Sequence, residues 1–366
     1  MALQAKEVAG TPSAEIERLL IVRLSAMGDV IHALPAVTAL RHAFPHALMG
    51  WAVEERWAEL LCTLPTPRSG PRSPQRPLLE KVHTLNTKGW RSELFSPQTW
   101  EQAGAAVSDL RAARYQVAVD LQGAARSALI ARWSGAAEIF GAAQPRENVA
   151  AMLYTRRVVT RGAHVVEQGI SLAEAVARRQ LEIPAAEFPC DQAAEKDCDR
   201  WLREREIDRF VLLSPGAGWG AKQWPPERYG LVAKELAGEG MKSLINFGPG
   251  EDNLALAVEQ ASKGTAQRIS CTLPQLIALT RRASLFIGGD TGPLHLAAAL
   301  RIPVVGIYGP TNPARNGPFG TRSIVLRSPS SVTSHSRRTQ PEEGLLQITA
   351  QQVTDAARQL LGSAHG

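Results

Sequence analysis

The chain has 366 residues, 44% hydrophobic and 21% charged, a composition typical of a globular protein long enough for two domains. Lys and Arg outnumber Asp and Glu by 41 to 35, and the formal net charge of +6 permits anionic partners without requiring them. Four scattered cysteines without a CxxC pair argue against a disulfide framework or a zinc site and favour a reducing cytosol. Neither a signal-peptide core nor a run of about 18 apolar residues occurs, so we expect a cytoplasmic protein.

Short apolar runs alternate with stretches of helical period in the first half of the chain, which predicts an α/β fold with mainly parallel strands. The strands are predicted at 19–24, 47–53, 81–85 and 115–121. The helices are predicted at Val30–Phe44, Trp100–Ala113 and Ser127–Trp133. Between the second and third strands, the Pro-, Arg- and Ser-rich segment 65–77 is predicted to be a mobile surface insertion.

The second half repeats this plan after a charged helix at Ala193–Arg205. Strands are predicted at 209–215, 242–248, 284–289 and 303–309, and helices at Pro226–Gly238, Asp252–Ser262, Leu273–Arg281 and Pro293–Leu300. The polar segment 328–343 is predicted to be disordered, before a final helix at Thr349–Leu361. We therefore expect a first domain over 1–185, a second over 186–345 and a final helical segment over 346–366.

The stretch Leu19–Leu40, LLIVRLSAMGDVIHALPAVTAL, passes from a strand through Met-Gly-Asp into a helix. The helix dipole stabilises the carboxylate of Asp29, so helix capping is a sufficient role for it. If the turn instead faces a sugar-nucleotide site, Gly28 gives clearance and Asp29 takes a proton from an attacking hydroxyl. The residues alone leave both interpretations open.

A glycine-rich turn, LSPGAGWGAKQWPP, follows the first predicted strand of the second half. Its glycines expose backbone amides and Lys222 adds a positive charge, a combination that suits phosphate binding. The spacing is not that of a P-loop, and no GxGxxG follows a first strand, which argues against a P-loop NTPase and a dinucleotide oxidoreductase. A flexible loop with a surface lysine is the alternative.

The segment SLFIGGDTGPLHLAAAL contains another strand-to-helix turn, with Asp290 after two glycines. Pro293 suits the first helical position, with Gly292 or Thr291 as the cap. The free amides of such a helix start form a phosphate site that His295, one turn further, also reaches. A tight turn with a capping Thr is the alternative, but together with FGPGED at 247–252 the turns predict a nucleotide-binding second domain.

Four segments in this order, RLSAMGDVIHALPA, DLQGAARSAL, SPGAGWGAKQWPPERY and GGDTGPLHLAAAL, resemble the family-9 glycosyltransferases, the lipopolysaccharide heptosyltransferases, and most of all their heptosyltransferase I branch. The resemblance implies a GT-B fold, in which two Rossmann-like domains with parallel sheets face each other across a cleft. The first domain would bind the acceptor, the second the nucleotide sugar, and the C-terminal helix would pack back toward the first.

The resemblance also implies an activity. It is the inverting, metal-independent transfer of L-glycero-D-manno-heptose from ADP-heptose to the Kdo region of lipid A in inner-core synthesis, with no cofactor. The expected partners are the ADP-heptose donor, a Kdo-lipid A-type acceptor and, transiently, the inner leaflet of the cytoplasmic membrane, with no nucleic acid. The expected location is the cytoplasm, with a peripheral position on the cytoplasmic face of the inner membrane.

Each site residue is carried over from a matching motif. Asp29 matches the catalytic base, and no metal ligand is expected. The donor-binding set is Lys222, Gly218, Glu251, Asp290, Thr291, Gly292 and His295. The acceptor-binding set is Gly28, Lys88, Arg91, Asp120, Gln122, Gly123 and Arg126.

Two departures from the family pattern leave alternatives open. Ala217 and Gly218 stand where Ser or Thr is common, so phosphate contacts would rest on backbone amides. Either Glu251 or Asp252 matches the acidic residue of the donor site. A GT-B enzyme with another sugar or acceptor is therefore an alternative. A nucleotide- or nucleic-acid-binding module without transfer activity is another, although its arginines lack interleaved aromatic residues.

Overall fold

Two parallel six-stranded sheets form the framework of the protein. The computed structural model describes residues 16–93, 95–334 and 338–362. The first sheet has the order β3-β2-β1-β4-β5-β6 and the second the order β12-β11-β10-β7-β8-β9. Read from its own first strand, each sheet has the Rossmann order, in which ligands bind beyond the carboxyl ends of the strands where the order reverses.

The elements of the first sheet unit are these. The strands are β1 Arg18–Val22, β2 Leu48–Glu54, β3 Lys81–Leu85, β4 Val117–Asp120, β5 Glu138–Ala142 and β6 Arg156–Val158. The helices are α1 Met27–Ala43, α2 Thr87–Ser92, α3 Pro97–Ala112, α4 Ala125–Trp133 and α5 Val165–Ala177, with short 3₁₀ helices at Glu55–Leu60 and Asn148–Leu153.

The second sheet unit repeats the pattern. Its strands are β7 Phe210–Ser214, β8 Lys242–Phe247, β9 Ala266–Ser270, β10 Leu285–Gly289, β11 Val304–Tyr308 and β12 Ser323–Arg327. Its helices are α6 Gln192–Glu204, α7 Pro226–Gly238, α8 Asp252–Ala261, α9 Leu273–Arg282, α10 Gly292–Ala299, α11 Pro313–Asn316, α12 Glu343–Gln347 and α13 Ala350–Gly362, with a 3₁₀ turn at Gly220–Lys222.

Period-two alternation along each central strand assigns its side chains to two different cores. In β1, Leu19 and Ile21 enter the core beneath α1 and α5, whereas Leu20 and Val22 enter the core beneath α3 and α4. The core beneath α1 continues through α10 to the second sheet, so the two units share buried apolar contacts. The starts of α1 and α10, at the carboxyl ends of β1 and β10, therefore face each other at the domain interface.

The predicted fold class, α/β with two Rossmann-like units, is confirmed. All eight predicted strands are present, with ends that differ by at most two residues from the predicted ones. Four strands were not predicted. The edge strands β6, β9 and β12 are partly exposed, which removes the apolar run that identifies a central strand. The inner strand β5 is buried, but its five residues include a Glu and a Gly and form no apolar run long enough to stand out. Crossover from the first unit to the second takes place between α5 and α6, and the boundary at 185 stays a prediction.

The segment 65–77 differs from the predicted mobile insertion because it folds around a buried arginine. Arg76 is 2% exposed and donates from Nε to the carbonyl of Leu79 at 2.9 Å and from Nη2 to that of Pro71 at 2.8 Å. A guanidinium has five donors, so one side chain can gather several loop carbonyls that would otherwise lack partners.

The segment 328–343 also differs from the expectation of disorder in the part that the structure describes. Glu342 accepts hydrogen bonds from the Ser331 hydroxyl at 3.0 Å and the Leu345 amide at 2.8 Å. The amide of Ala221, in the glycine-rich turn, donates to the carbonyl of Arg338 at 3.0 Å, and the Glu342 amide donates to the carbonyl of Ala221 at 3.2 Å. This segment therefore braces the glycine-rich turn. Residues 335–337 lie outside the described residues.

The position of the final helix differs from the one implied by the family resemblance. Val353, Ala357 and Leu360 of α13 are buried in the core beneath α7 and the second sheet. The helix thus covers the second unit rather than packing back toward the first, because its apolar face completes a core that α7 leaves open on one side.

A buried polar chain crosses the first sheet next to a glycine. The Tyr115 hydroxyl lies 2.7 Å from Nε2 of His83, whose Nδ1 lies 2.6 Å from Oδ2 of Asp109. A Cβ built on Gly50 would lie only 1.8 Å from Oη of Tyr115. Gly50 is therefore required for the tyrosine to reach His83.

We expect Gly50→Ala to lower the free energy of unfolding by about 1–3 kcal/mol, because the new methyl group displaces a buried tyrosine. Gly104→Ala is the matched control, since a Cβ there meets nothing within 4 Å. In the middle of α3 it should raise stability by up to about 1 kcal/mol. Urea unfolding at equilibrium measures both variants, and equal stability of Gly50→Ala and wild type would contradict the packing argument.

Candidate active site

The loop from Arg23 to Asp29 is fixed by hydrogen bonds and an ion pair of its two end residues. α1 begins at Met27, three residues earlier than predicted, so Asp29 is its third residue. Oδ2 of Asp29 accepts the Ala26 amide at 3.0 Å, and Oδ1 pairs with Nη2 of Arg23 at 2.7 Å. Arg23 also donates to the carbonyl of Leu121, in the loop after β4. Asp29 thus caps the start of α1, but its side chain is 41% exposed and remains open to the cleft.

The loop after β4 is organised by a buried carboxylate. Asp120 is 1% exposed and accepts four hydrogen bonds, from the amides of Gln122 and Gly123 and from the hydroxyls of Ser127 and Tyr154. Burial raises the pKa of Asp120, and these donors oppose the rise. All contacts of this carboxylate lie inside the protein, so it can hold the loop in shape but does not line a ligand surface.

Two further residues of this loop have structural roles. Oε1 of Gln122, a buried side chain, accepts the Leu24 amide at 2.8 Å and thereby joins the loop to the Asp29 segment. Gly123 has φ of +69°, a left-handed conformation that favours glycine. A Cβ there would also lie 3.0 Å from the Arg146 amide. The side chains of Asp120 and Gln122 support the acceptor-side loop from inside, and binding of the acceptor at this loop stays a prediction.

Three basic residues predicted on the acceptor side are exposed near Asp29. Arg126, at the start of α4, donates to the Ser25 hydroxyl at 3.0 Å and to the Thr87 hydroxyl at 3.3 Å. Lys88 and Arg91 follow Thr87 on α2 and are exposed. Arg126 therefore links α2 to the Asp29 segment.

The glycine-rich turn presents Lys222 to the second half of the cleft. Nζ of Lys222 pairs with Oδ2 of Asp290 at 2.5 Å and lies 4.8 Å from the ring centroid of Trp219. Gly218 is exposed, with open space around its Cα. The side chain of Glu251 lies against this turn, because a Cβ on Gly216 would be 2.3 Å from Oε1 of Glu251. Asp252 is exposed at the start of α8, so Glu251 is the acidic residue that adjoins the turn.

Asp290 holds together the side chains of the second half of the site. Its carboxylate is bonded to Lys222, to Nε2 of His295 at 3.0 Å and to Nδ2 of Asn316 at 3.1 Å. Burial opposes ionisation, but the hydrogen bond and charge of His295 and the ammonium of Lys222 outweigh it and hold the pKa of Asp290 well below its usual range. The ionised carboxylate thereby fixes Lys222 and His295 in place.

The start of α10 has free backbone donors. Thr291 is the N-cap residue, but its hydroxyl donates to the carbonyl of Gly289 at 3.2 Å and does not cap the helix. The predicted threonine cap is therefore absent, although the predicted position of the residue is right. The first amides of α10 and the positive end of its dipole are available to an anion.

The starts of α1 and α10 contact each other through two reciprocal glycine notches. A Cβ on Gly28 would lie 2.5 Å from Cδ2 of His295, and a Cβ on Gly292 would lie 2.5 Å from Sδ of Met27. Each helix thus accommodates a side chain of the other where it has no Cβ. This packing sets the approach of the Asp29 carboxylate to the amides of α10.

Three buried histidines continue the same interface below the notches. The ring centroids of His32 and His295 are 4.3 Å apart, and those of His32 and His164 are 5.3 Å apart. Nδ1 of His164 accepts the Val166 amide, so Nε2 carries the proton and donates to the carbonyl of Gly317 at 3.0 Å. Burial, together with the neighbouring imidazoles, lowers the pKa of His32 well below its ordinary value, and burial also lowers that of His164.

Some of these residues were not predicted from the sequence. Arg23, Met27 and His32 were inside a quoted motif, but nothing in their spacing indicates the partners they reach. Asn316, His32 and His164 come from separate elements, and only the folded chain brings them to the interface. Over residues 16–93, 95–334 and 338–362, no group of three or more His, Cys, Asp or Glu side chains is arranged to hold a metal ion. In the same ranges, no helix is long and apolar enough to cross a membrane.

Comparison with known proteins agrees with this architecture. The sequence profile of glycosyltransferase family 9 (heptosyltransferase) matches residues 104–346. Lipopolysaccharide heptosyltransferase 1 of Pseudomonas aeruginosa is 28% identical over 325 residues, covering 85% of this chain and 84% of that protein. The Escherichia coli protein of the same name is 27% identical over 320 residues, covering 85% of this chain and 94% of its own.

Two solved structures share the fold. Escherichia coli heptosyltransferase WaaC with ADP superposes with a TM-score of 0.75 at 24% identity, covering 94% of this chain and 99% of that one. A family-9 glycosyltransferase from Veillonella parvula superposes with a TM-score of 0.80 at 20% identity, covering 97% and 100%. The two facing Rossmann-like units thus have the GT-B fold, and the match to the family profile makes the protein a glycosyltransferase. The chain belongs to glycosyltransferase family 9, the heptosyltransferases.

The glycine notches lead to a double-mutant prediction. Gly292→Ala introduces a methyl group 2.5 Å from Sδ and 2.8 Å from Cβ of Met27, so the helix starts must separate. We expect kcat/KM for glycosyl transfer to fall by about 10–100-fold, the range that a misplacement of about 1 Å produces. Met27→Ala in the same chain removes the contacts with Sδ and Cγ, leaves only the 2.8 Å contact with Cβ, and should restore part of the activity.

Gly238→Ala is the matched control, because it lies at the end of α7 with nothing within 4 Å of a new Cβ. Initial-rate kinetics of the four chains of the cycle measure the coupling between residues 27 and 292. Strictly multiplicative effects of the two substitutions would show that this contact does not set the geometry of the cleft.

The buried histidines predict a pH dependence of stability. Because the pKa values of His32 and His164 are lowered by folding, the unfolded chain binds more protons below its ordinary histidine pKa of about 6.5. Their contribution to stability is therefore complete above pH 6.5 and is lost as the pH falls below it. Each histidine adds at most about 1.4 kcal/mol per pH unit to the slope.

Urea unfolding is measured at a series of pH values from about 7.5 to about 5. The free energy of unfolding should fall less steeply with pH in His32→Gln than in wild type. His46→Gln, at an exposed position, should keep the wild-type slope. An unchanged slope in His32→Gln would mean that protonation of this interface does not limit stability.

Proposed function

We infer that this family-9 glycosyltransferase transfers L-glycero-D-manno-heptose from ADP-heptose to the Kdo region of a lipid A-type acceptor in lipopolysaccharide inner-core synthesis. The observation that supports this most is the meeting of an open carboxylate, Asp29, with the uncapped start of α10 and Lys222. The names of the curated relatives support heptose and lipopolysaccharide, and the WaaC structures with ADP and an ADP-heptose analogue support an ADP sugar.

The donor side supplies positive charge without a metal ion in this proposal. The diphosphate of ADP-heptose would bind at the amide of Gly292 and the positive end of the α10 dipole, since Pro293 has no N–H, with Lys222 as the second source of positive charge. Asp290 keeps Lys222 and His295 oriented, and Thr291 and Gly218 leave room for the donor. Glu251, beside the glycine-rich turn, is suited to accept hydrogen bonds from the ribose hydroxyls.

The transfer step needs one proton acceptor. An acceptor hydroxyl attacks the anomeric carbon of the heptose, the bond from that carbon to the phosphate oxygen breaks, and ADP leaves with the bonding electrons. Attack from the face opposite ADP inverts the configuration. Asp29 takes the hydroxyl proton as the new bond forms, and Arg23 holds its carboxylate in position. The amides of α10 and Lys222 stabilise the negative charge that develops on ADP.

The acceptor side is basic, which suits the carboxylates and phosphates of a Kdo-lipid A-type molecule. Arg126, Lys88 and Arg91 are exposed beside the Asp29 segment, and a guanidinium binds a carboxylate or phosphate with two parallel hydrogen bonds. Gly28 gives clearance next to Asp29. Because such an acceptor is anchored in lipid, the proposal includes transient contact with the inner leaflet and a position on the cytoplasmic face of the membrane.

A second candidate is a GT-B enzyme with another nucleotide sugar or acceptor. Ala217 and Gly218 in the donor turn favour it, because they provide no hydroxyl where the family commonly has one. A screen of nucleotide sugars that finds turnover only with a donor other than ADP-heptose would decide in its favour.

The decisive experiment measures ADP release from ADP-heptose, with and without Kdo-lipid A, for wild type and Asp29→Asn. We expect acceptor-dependent release that falls by about 10²–10⁴-fold in the variant, the usual contribution of a general base, while ADP-heptose binding by calorimetry is retained. Addition of EDTA should leave the wild-type rate unchanged.

Asp208→Asn, an exposed carboxylate outside the cleft, is the matched control and should keep wild-type activity. Equal rates for Asp29→Asn and wild type would reduce Asp29 to a helix cap. Release with ADP-heptose that does not depend on the acceptor would argue against Kdo-lipid A as the substrate, and inhibition by EDTA would argue against the metal-independent route.

A further inference from the structure

The first unit has an outer layer on the side of its sheet that faces away from the domain interface. This layer consists of α2, α3, α4 and the 3₁₀ helix Asn148–Leu153, which share one buried core with the sheet. α4 packs directly against this 3₁₀ helix. The side chains that point away from that core form one continuous outer surface, which we call the outer face.

Exposed apolar side chains are concentrated on this outer face. Of the twelve large apolar side chains exposed within the described ranges, four lie on α3, α4 and the 3₁₀ helix, namely Trp100, Leu129, Val149 and Met152, and Phe95 lies between α2 and α3. Phe95 is 99% exposed and Met152 76%. Val149 and Met152 are three residues apart on a 3₁₀ helix, so they project from the same side. Exposed apolar groups gathered in one region indicate an interaction surface.

The same stretch of chain contains most of the excess positive charge. Residues 86–161 include ten Lys and Arg against six Asp and Glu, whereas the excess of the whole chain is only 41 against 35. Some of the acids are already engaged: Glu138 pairs with Arg156 at 2.6 Å, and Glu147 accepts the Ala125 amide at 2.9 Å. Exposed arginines such as Arg132 therefore face solvent with little opposing charge.

The outer face is continuous with the acceptor side of the cleft. Arg126 bonds to the Ser25 hydroxyl beside the Asp29 segment, and Leu129 and Arg132 follow it at intervals of three residues along the exposed side of α4. The outer face begins at Arg126 and extends away from the cleft. A lipid-anchored acceptor bound in the cleft would extend along this face toward its acyl chains.

We propose that the outer face docks onto a membrane surface rich in anionic lipid. Met152, Val149 and Phe95 enter the boundary between headgroups and acyl chains, and the surrounding arginines bind lipid phosphates. The docked orientation presents Arg126 and Asp29 to the headgroup of the acceptor. This inference rests on the proposed function, because it identifies the surface through which that function reaches a lipid-anchored substrate.

Binding to the membrane is tested with vesicles of phosphatidylcholine alone or mixed with phosphatidylglycerol, by co-sedimentation of the full chain. We expect binding that needs the anionic lipid and weakens as salt is added. Met152→Glu and Phe95→Glu should each weaken partition at least about tenfold, because they replace an inserting apolar group by a negative charge. Leu231→Glu, a 47% exposed position on α7 in the second unit, is the matched control and should bind like wild type.

Activity assays separate this inference from the proposed function. Met152→Glu should lose activity at least about tenfold on acceptor embedded in anionic vesicles, yet keep wild-type rates on the same acceptor sugars without acyl chains. The docking surface would be overturned if wild-type protein did not bind anionic vesicles. It would also be overturned if Met152→Glu and Phe95→Glu bound them as well as wild type does. Failure of every chain to use either acceptor would overturn the proposed function, while the vesicle binding would still decide the docking surface.

Discussion

The active site depends on two helix N-termini that meet across the cleft. The starts of α1 and α10 are both positive ends of helix dipoles, and such ends repel each other in a region from which water is partly excluded. Two ionised carboxylates offset this repulsion, because Asp29 caps α1 and Asp290 lies just before α10. Asp290 is matched by Lys222 and His295, so the amides of α10 remain available to an anionic donor.

The closeness of the two helices requires small residues at the contact and uncharged residues behind it. Gly28 and Gly292 allow the notches, and a Cβ at either position would force the facing side chain or its helix to shift. The rings of His32 and His164 fill the space below, where two imidazolium ions would repel each other and would be poorly solvated. Burial keeps both imidazoles neutral, and the Nε2–H of His164 then donates across the interface to Gly317. Burial of the two neutral imidazoles thus allows the close packing of the interface and also leaves His164 with the proton that it donates to Gly317.

The sequence was sufficient to predict the inner strands other than β5 and the glycine-bearing turns, because most buried parallel strands are continuous apolar runs and each turn follows one. It was insufficient for residues whose position depends on distant elements. Asp120 was assigned to the acceptor surface by its motif, whereas the hydroxyl of Tyr154, 34 positions away, encloses it in the interior. Asn316 and His164 have no local pattern at all. The tail at 338–342 was read as disordered because polar composition does not reveal backbone pairing with Ala221.

The two domains use different physical means to bind anions, and the difference suits where each substrate is found. The second unit presents a helix N-terminus and one partly buried lysine, a site of fixed geometry that suits a small diphosphate arriving from solution. The first unit presents exposed arginines on α4 and its neighbours, whose long side chains adapt to a large headgroup of irregular shape. Within the first unit, Arg23 connects the Asp29 segment to the acceptor-side loop, because it pairs with Asp29 and also donates to the carbonyl of Leu121 in the loop that Asp120 shapes. The position of the carboxylate therefore depends on the acceptor-side loop as well as on the packing of α1 against α10.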